Sequence, residues 1–558
     1  MNQLTRRLPL LALVFLIAGG FIGGMIGSRA LAEPQRPDDD LWTFGRVLSL
    51  IEDQYVGEVD SKALIEDAVA GMLQSLDPHS NYLNPESFHE MRDEQRGKFS
   101  GLGIQITKRG ADKPLTIISP IDDTPADRAG LISGDVIARI EGAPTIEMTV
   151  QDAVRLLKGD KGTRVTITIK RQGVPDPFDV TIERDDIPIE SIRVAFMLDD
   201  QVGMIRVSNF TSTTADELDR AIAQLTEKGM TRLLVDLRGN PGGLLDQAVQ
   251  VSERFIPADK LIVFTRGRIH GSDQDYYAKR GVNRVDLPLV VLVDESSASA
   301  SEIVSGAIQD HDRGLVVGEA TFGKGLVQRV IPLQSGGALA VTTAKYYTPS
   351  GRLIQRDYSD LEEYYLGRAG EAGDDELPAP SPRDDEQTGE PTEVEPTEVF
   401  YTASGRKVFG GGGIRPDYMV KAERAPDLLF DLLRENMIFD FAVRYNNEHA
   451  ELDPEVPFDD AALADFERFL ERVDFEYDRA DLAEHKEIVR LRLRAQIARV
   501  RWDQNAEARI LALADPQVQR AVGLFGEAAE LSEAGADGEP GQPATPKDHL
   551  RAARDANE

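Results

Sequence analysis

Pro288-Leu289-Val290-Val291-Leu292-Val293, followed at once by Asp294-Glu295-Ser296-Ser297-Ala298-Ser299-Ala300-Ser301-Glu302-Ile303, decides the fold class. The first six residues carry no polar side chain, so the run predicts a strand covered on both faces. The small and hydroxyl residues after it open a helix predicted over 299–309. A buried strand turning directly into a helix is the unit of an α/β layer. Outward from this stretch the alternation recurs. Strands are predicted over 202–207, 232–237, 261–265, 287–293 and 314–317, and helices over 218–228 and 244–255. Residues 189–356 and 398–420 therefore read as one α/β core.

The flanks differ in pattern. Residues 38–96 read as helical, with Val47, Leu50, Ile51 and later Leu64, Ile65, Val69, Met72 and Leu73 at helical spacing. Residues 97–188 change to short strands with glycine turns, including Gly101-Leu102-Gly103-Ile104-Gln105-Ile106 and the β-branched Val165-Thr166-Ile167-Thr168-Ile169. Residues 357–397 are rich in Asp, Glu, Pro and Gly and read as a disordered acidic insertion. Residues 427–531 are helical again, and 534–558 read as a disordered tail.

Composition excludes several functions. A chain of 558 residues is too long for one core, which predicts about two to four domains. The net charge of −33 argues against nucleic-acid binding, since phosphate contacts need a basic surface. The absence of cysteine removes disulfides, thiolate metal sites and a cysteine nucleophile together. The seven histidines form no pair at metal-ligand spacing, so no metal or cofactor is expected. Arg6 and Arg7 precede an apolar run over 8–26 and then Ala30-Leu31-Ala32, the layout of an export signal over 1–32. The run is also long enough to span a bilayer, so an uncleaved membrane anchor is the alternative. Either way the bulk of the chain is expected outside the cytoplasm, in a periplasm.

The chemistry is densest at the serine-rich turn. A hydroxyl there sits at a helix N-terminus, where unpaired N–H groups favour developing negative charge. A plain serine-rich helix cap fits the same residues. A serine needs a base, and no His–Asp pair stands nearby in sequence. Thr321-Phe322-Gly323-Lys324-Gly325-Leu326-Val327-Gln328 offers a lysine between glycines, usable as a base if burial lowers its pKa. A phosphate loop is disfavoured because Walker spacing is missing; an ordinary turn lysine stays open.

Taken together these motifs resemble the carboxyl-terminal processing (tail-specific) peptidases. The resemblance rests on Ser297–Ile303, Gly318-Glu319, Thr321–Gly325 and Gln328, with Asp236-Leu237-Arg238-Gly239-Asn240-Pro241-Gly242-Gly243-Leu244-Leu245 as a second hallmark. Ser75-Leu76-Asp77-Pro78-His79-Ser80, Tyr346-Tyr347-Thr348-Pro349-Ser350-Gly351-Arg352 and Gly411-Gly412-Gly413-Ile414-Arg415-Pro416-Asp417 add to it, over about 42–420. It implies a crotonase-like α/β peptidase core with Ser299 as nucleophile, Lys324 as general base and Gln328 orienting the amine. The backbone N–H groups of Ala300 and Gly242 are the expected oxyanion hole, with Asp236, Arg238 and Asn240 supporting the turn. Only the resemblance, not the residues themselves, picks Ser299 over Ser297 and Ser301.

Residues 97–188 resemble a PDZ domain, with Phe99-Ser100-Gly101-Leu102-Gly103-Ile104 as the carboxylate-binding loop. Gly101, Leu102, Gly103 and Ile104 would then receive a substrate C-terminus by strand addition. Ser133-Gly134-Asp135-Val136-Ile137 and Ile140-Glu141-Gly142 match further PDZ elements. The expected function is endoproteolysis of exported proteins with exposed apolar C-termini, in a homo-oligomer and with an activating adaptor, as in some members. Two rivals stand beside it: a non-catalytic PDZ scaffold, and an acyl-CoA-binding crotonase-like protein, disfavoured by the export signal.

Overall fold

A computed structural model of the chain describes residues 37–108, 113–171, 173–360, 364, 398–449 and 460–537. The expected export signal, all but five residues of the acidic insertion, and tail residues 538–558 lie outside the described residues. The chain divides into two compact units, Met1–Leu76 and Asp77–Glu558. In the first, α1 (Pro37–Gln54) is followed by α2 (Ser61–Gln74), whose first N–H groups at Lys62 and Ala63 are capped by the Asp60 carboxylate. Leu41, Trp42, Val47 and Leu50 on α1 stay exposed.

The second unit opens with β1 (Asn81–Leu83) and α3 (Pro85–Arg96). The strand corrects the all-helical reading of 38–96. Three residues are too few to show a period, and what makes them a strand is pairing with a segment more than 250 residues away. A left-handed Gly97 (φ 70°) ends α3 and leads into β2 (Lys98–Gly101). Next come β3 (Ile104–Thr107), β4 (Leu115–Pro120), β5 (Val136–Ile140), α4 (Val150–Leu157), β6 (Arg164–Lys170), β7 (Phe178–Glu183) and β8 (Asp185–Pro188). An antiparallel sheet in the order β3-β4-β5-β6-β7 wraps a core of Ile117, Ile137, Ile140, Val165, Ile167 and Ile169, while β2 pairs with β8. The strand expected after a glycine loop in 101–106 begins as β3 at Ile104. Gly103 adopts φ +80°, and a Cβ there would stand 2.4 Å from the Thr124 side chain.

The α/β core then follows as β9 (Val194–Met197), β10 (Val202–Arg206), α5 (Thr214–Glu227), β11 (Arg232–Asp236), α6 (Leu245–Glu253), β12 (Leu261–Arg266), β13 (Gln274–Tyr277), β14 (Leu289–Val293), α7 (Ala300–Asp310) and β15 (Leu315–Gly318). After β15 come β16 (Leu326–Pro332), β17 (Ala338–Tyr347), the hairpin β18 (Val399–Tyr401) and β19 (Lys407–Phe409), and β20 (Tyr418–Met419). The main sheet runs β9-β10-β11-β14-β15-β20, parallel except for β9. A second sheet runs β1-β17-β12-β13, with β16 paired to β17.

β14 shows why its sequence has no polar alternation. Leu289, Val291 and Val293 pack into one core with α5, α6 and α7, whereas Val290 and Leu292 face a separate cluster. That second face is covered by the C-terminal helices, through Ala512, Val518, Ala521, Leu524, Phe525 and Ala528.

The C-terminal region comprises α8 (Asp427–Arg434), α9 (Met437–Glu448), α10 (Asp460–Arg472), α11 (Arg479–Glu484), α12 (Lys486–Arg501), α13 (Gln504–Ala514), α14 (Pro516–Val522) and α15 (Phe525–Asp537). α15 runs past 534, so the first residues of the expected tail are helical instead. Helices α8 to α12 enclose a core of their own around Phe441, Phe466, Leu470 and Leu493. Arg499 on α12 reaches Gln105 Oε1 on β3 at 3.1 Å and pairs with Glu507 on α13 at 3.1 Å.

Candidate active site

The turn between β14 and α7 separates its serines by their partners. Ser297 Oγ donates to Leu237 C=O at 2.9 Å, and Ser301 Oγ donates to Asn240 C=O at 2.9 Å; both side chains are fully buried. Ser299 instead lines a cavity of about 360 Å³. Its backbone lies at φ 55°, ψ −110°, a conformation that only a few non-glycine residues adopt and that stores strain. The sequence left three serines open; commitment of two hydroxyls to backbone carbonyls leaves Ser299 as the one on the cavity.

Glu302, on the first turn of α7, is completely buried. Its carboxylate accepts from Ser299 N–H at 2.8 Å, Lys324 N–H at 2.9 Å, Gly323 N–H at 2.7 Å and Thr321 Oγ1 at 2.5 Å. Burial raises its pKa, and these hydrogen bonds oppose that rise. Tyr346 closes the other side, its hydroxyl donating to Lys324 C=O at 2.5 Å and Ser299 C=O at 3.1 Å. Burial, the Glu302 charge and Tyr364 push that phenol well above its ordinary value, so it stays a donor.

Lys324 lines the same cavity as Ser299. Its loop is fastened further by Gly325 N–H to Gln355 Oε1 at 2.8 Å and Arg356 N–H to Gly323 C=O at 2.9 Å. Gly323 needs to be glycine: φ is +87° and an added Cβ would meet the Gly413 backbone nitrogen at 3.0 Å. Burial lowers the lysine pKa, and Glu302 and Asp77 partly counter it. No hydrogen bond joins Ser299 Oγ to Lys324 Nζ among the described residues. Gln328 lines the cavity, yet its Nε2 donates to Thr342 Oγ1 at 3.3 Å rather than contacting the lysine amine.

The glycine turn after β11 lies against the Ser299 turn. Gly242 has φ +103°, and a Cβ on it would stand 2.7 Å from Ala298 O, 2.8 Å from Ser299 Cβ and 2.9 Å from Ala300 N. The Gly242 N–H donates to Asn240 Oδ1 at 2.9 Å, while the adjacent Gly243 lines the cavity. Ala300 N–H and Gly243 N–H make no hydrogen bond among the described residues. Asn240 holds the turn, donating from Nδ2 to Val207 C=O at 2.8 Å and accepting at its own C=O from Ala298 N–H at 3.0 Å.

His79, Glu302 and Tyr346 stood in quoted motifs without an assigned role. His79 lines the cavity, and its Nε2 lies 2.7 Å from the Tyr364 hydroxyl. Burial and the charge of Lys324 bring its pKa down to about 4, against the influence of Asp77. The Asp77 carboxylate, which accepts from His79 N–H and Ser80 N–H at 2.8 Å each, fixes this loop. A carboxylate three residues after the serine in a helix start, and a histidine flanked by Asp-Pro and Ser, were the signals available in sequence.

In the 97–188 region, Gly101 closes β2, while Leu102 is buried and its C=O accepts from Ala126 N–H at 2.9 Å. Gly103 C=O accepts from Ile121 N–H at 2.9 Å, and Ile104 starts β3, which among the described residues pairs with β4 on one edge only.

Comparison with known proteins agrees with this layout. The sequence model of peptidase family S41 matches residues 201–360, and that of the PDZ domain matches 116–171. Models of the activating protease CtpB N-terminal domain and of a probable PDZ-protease C-terminal helical domain match 27–87 and 428–480. The carboxy-terminal-processing protease of Bartonella bacilliformis is 42% identical over 350 residues, covering 61% of this chain and 80% of the relative. Carboxy-terminal processing protease CtpA of Bacillus subtilis is 35% identical over 346 residues, covering 62% and 72%. A solved photosystem II D1 C-terminal processing protease is 30% identical with a TM-score of 0.32, covering 54% of this chain and 81% of that one. With that identity over four fifths of a curated relative, and with a PDZ domain set before an α/β core, the chain belongs to the carboxy-terminal processing proteases of peptidase family S41.

Proposed function

We propose that this protein is a serine endopeptidase that cleaves exported proteins near their C-termini, with Ser299 as nucleophile and Lys324 as general base. The observation that carries the reading is the shared Glu302 carboxylate, which holds the backbones of Ser299 and Lys324 at one cavity. Ser299 Oγ attacks the scissile carbonyl while Lys324 takes its proton and returns it to the leaving amine, giving an acyl-enzyme that water then hydrolyses. The lysine must be neutral to do this, and its burial favours the neutral form. Ala300 N–H and an N–H of the Gly242-Gly243 turn receive the oxyanion. Gln328, on the same cavity wall, orients the lysine amine once substrate is bound. No metal or cofactor takes part in this scheme.

Substrate tails add to the unpaired edge of β3, their carboxylate received by the loop Gly101-Leu102-Gly103-Ile104. Placement in the periplasm, soluble or anchored by the N-terminal apolar run, follows from the signal-like sequence. Homo-oligomerisation or docking of an activating adaptor is supported by the exposed apolar residues of α1. The test is cleavage of an unstructured protein with an apolar C-terminus by wild type, Ser299→Ala and Lys324→Ala. Cleavage by wild type alone is expected; full activity in either variant would sink the mechanism.

A further inference from the structure

The turn that carries the oxyanion glycines is held from outside the peptidase core. Arg238, two residues past β11, donates from Nε and Nη2 to the Asp236 carboxylate at 2.9 Å each. Its Nη1 reaches across to the C-terminal helices, donating to Asp515 Oδ2 at 2.6 Å and to Gln517 Oε1 at 2.7 Å. These partners stand 277 and 279 positions away in sequence. The contact is largely enclosed: Asp236 is 1% exposed, and the Arg238 and Asp515 side chains are 17% and 24% exposed.

Both acceptors are fixed in turn. Asp515 is the N-cap of α14 and spends its other oxygen, Oδ1, on Gln517 N–H at 2.8 Å and Val518 N–H at 3.3 Å. Gln517 Nε2 donates to Val420 C=O at 2.7 Å, which sets its carbonyl oxygen toward Arg238. On the core side the turn is stitched to the nucleophile segment. Gly239 N–H donates to the Asp294 carboxylate at 2.9 Å, and Asn240 C=O accepts from Ala298 N–H and Ser301 Oγ. A guanidinium whose Nε, Nη1 and Nη2 are held by a carboxylate on one side and a rigid pair on the other has one orientation.

We infer that Asp515 and Gln517 are positioning residues for the cleavage reaction: through Arg238 they fix the 239–243 turn against the Ser299 segment. The inference rests on the proposed serine-peptidase reading and deepens it. Oxyanion donors act by preorganisation, so a displacement of about 1 Å costs up to roughly 100-fold in rate while leaving ground-state binding alone. The C-terminal helices then contribute to catalysis as well as covering the sheet.

Asp515→Asn separates this role from helix capping. Asparagine caps as well as aspartate through its remaining oxygen, but the amide that replaces Oδ2 cannot accept from Arg238. The full-length variant is expected to lose roughly 10- to 100-fold in kcat, with KM within about twofold and the melting temperature close to wild type. Hydrogen exchange of residues 239–244 should rise while that of α14 is unchanged. Asp503→Ala is the control: Asp503 caps α13 through Ala506 N–H at 2.8 Å and has no contact with Arg238, so kcat per folded molecule should hold. Unchanged kcat and unchanged exchange in Asp515→Asn overturns the inference, as does an equal loss in Asp503→Ala. Faster exchange at 239–244 together with full activity in Ser299→Ala instead overturns the serine-peptidase reading while the mechanical link stands.

Discussion

Glu302 Oε2 accepts a hydrogen bond from the backbone N–H of Ser299 at 2.8 Å and another from that of Lys324 at 2.9 Å. One buried carboxylate thereby sets the spacing between the start of α7 and the loop before β16. Replacement by alanine strands four donors in a closed interior. Glu302→Ala is expected to lose about 3–5 kcal/mol of stability, the scale for removing one partner of a buried charged network. Urea denaturation of wild type and variant measures it, and the folded fraction should show at least a tenfold loss of kcat.

Lys324, the proposed general base, carries a cost in stability. Its pKa lies below 10.5 because burial disfavours the ammonium, Glu302 and Asp77 countering in part. Between the folded pKa and 10.5 the unfolded chain binds the extra proton, so stability rises with pH across that window. Lys324→Met removes the penalty. The variant should be inactive and more stable than wild type below the lysine's folded pKa, the gain shrinking as pH approaches 10.5. Thermal melts over a pH series check this, and a pH-independent difference would contradict it.

His79 works in the opposite pH range. Its folded pKa of about 4, against an ordinary 6.5, keeps the imidazole neutral beside Lys324. As pH falls from 6.5 toward 4 the unfolded chain takes up a proton that the folded site refuses, and stability is lost. His79→Gln should flatten the acid limb of the stability profile in that interval. Chemical denaturation at several pH values would show it, with solvent exposure of the ring tempering the size.

Gly242 tests the close approach of the two turns. An alanine Cβ would meet backbone atoms of Ala298 and Ala300 at 2.7 and 2.9 Å, at φ +103°. Backbone cannot swing aside as a side-chain tip can. Gly242→Ala should reduce kcat by about 100-fold or more, with far-UV circular dichroism unchanged, since the rest of the sheet does not depend on this position.

Phe525 tests what the C-terminal helices cover. It is 2% exposed and packs on the face of the main sheet that carries Val290 and Leu292. Phe525→Ala should cost about 3–5 kcal/mol, the range for a large buried aromatic. A truncation ending at Val420 should leave that face bare and precipitate.

Much of the fold was readable because it is local. The polar-free run at Leu289–Val293, the small residues after it and the glycine turns of the PDZ region announce their conformations through periodicity and turn chemistry. Asn81–Leu83 was not readable, because a strand of three residues exists only through its partner β17. The site divides the same way. A serine-rich helix start and a lysine between glycines stood out, the family resemblance picked Ser299 among the serines, and Ser299 and Lys324 both line one cavity. The contact of Gln328 with Thr342 had no local signal, nor did that of Gly242 N–H with Asn240.

By itself the sequence determined the α/β core, the glycine-broken PDZ strands, the serine-rich turn and candidate lysine, and the exclusion of cysteine chemistry. These follow from backbone preference and side-chain period over a few residues. Only the tertiary structure decided which hydroxyls are committed to backbone carbonyls, which carboxylate joins the backbones of Ser299 and Lys324, and that the C-terminal helices cover the sheet and hold Arg238. Each of those is a pairing between segments distant along the chain. Their encounter is governed by burial and hydrogen-bond satisfaction in the folded whole, for which no short stretch of sequence carries the information.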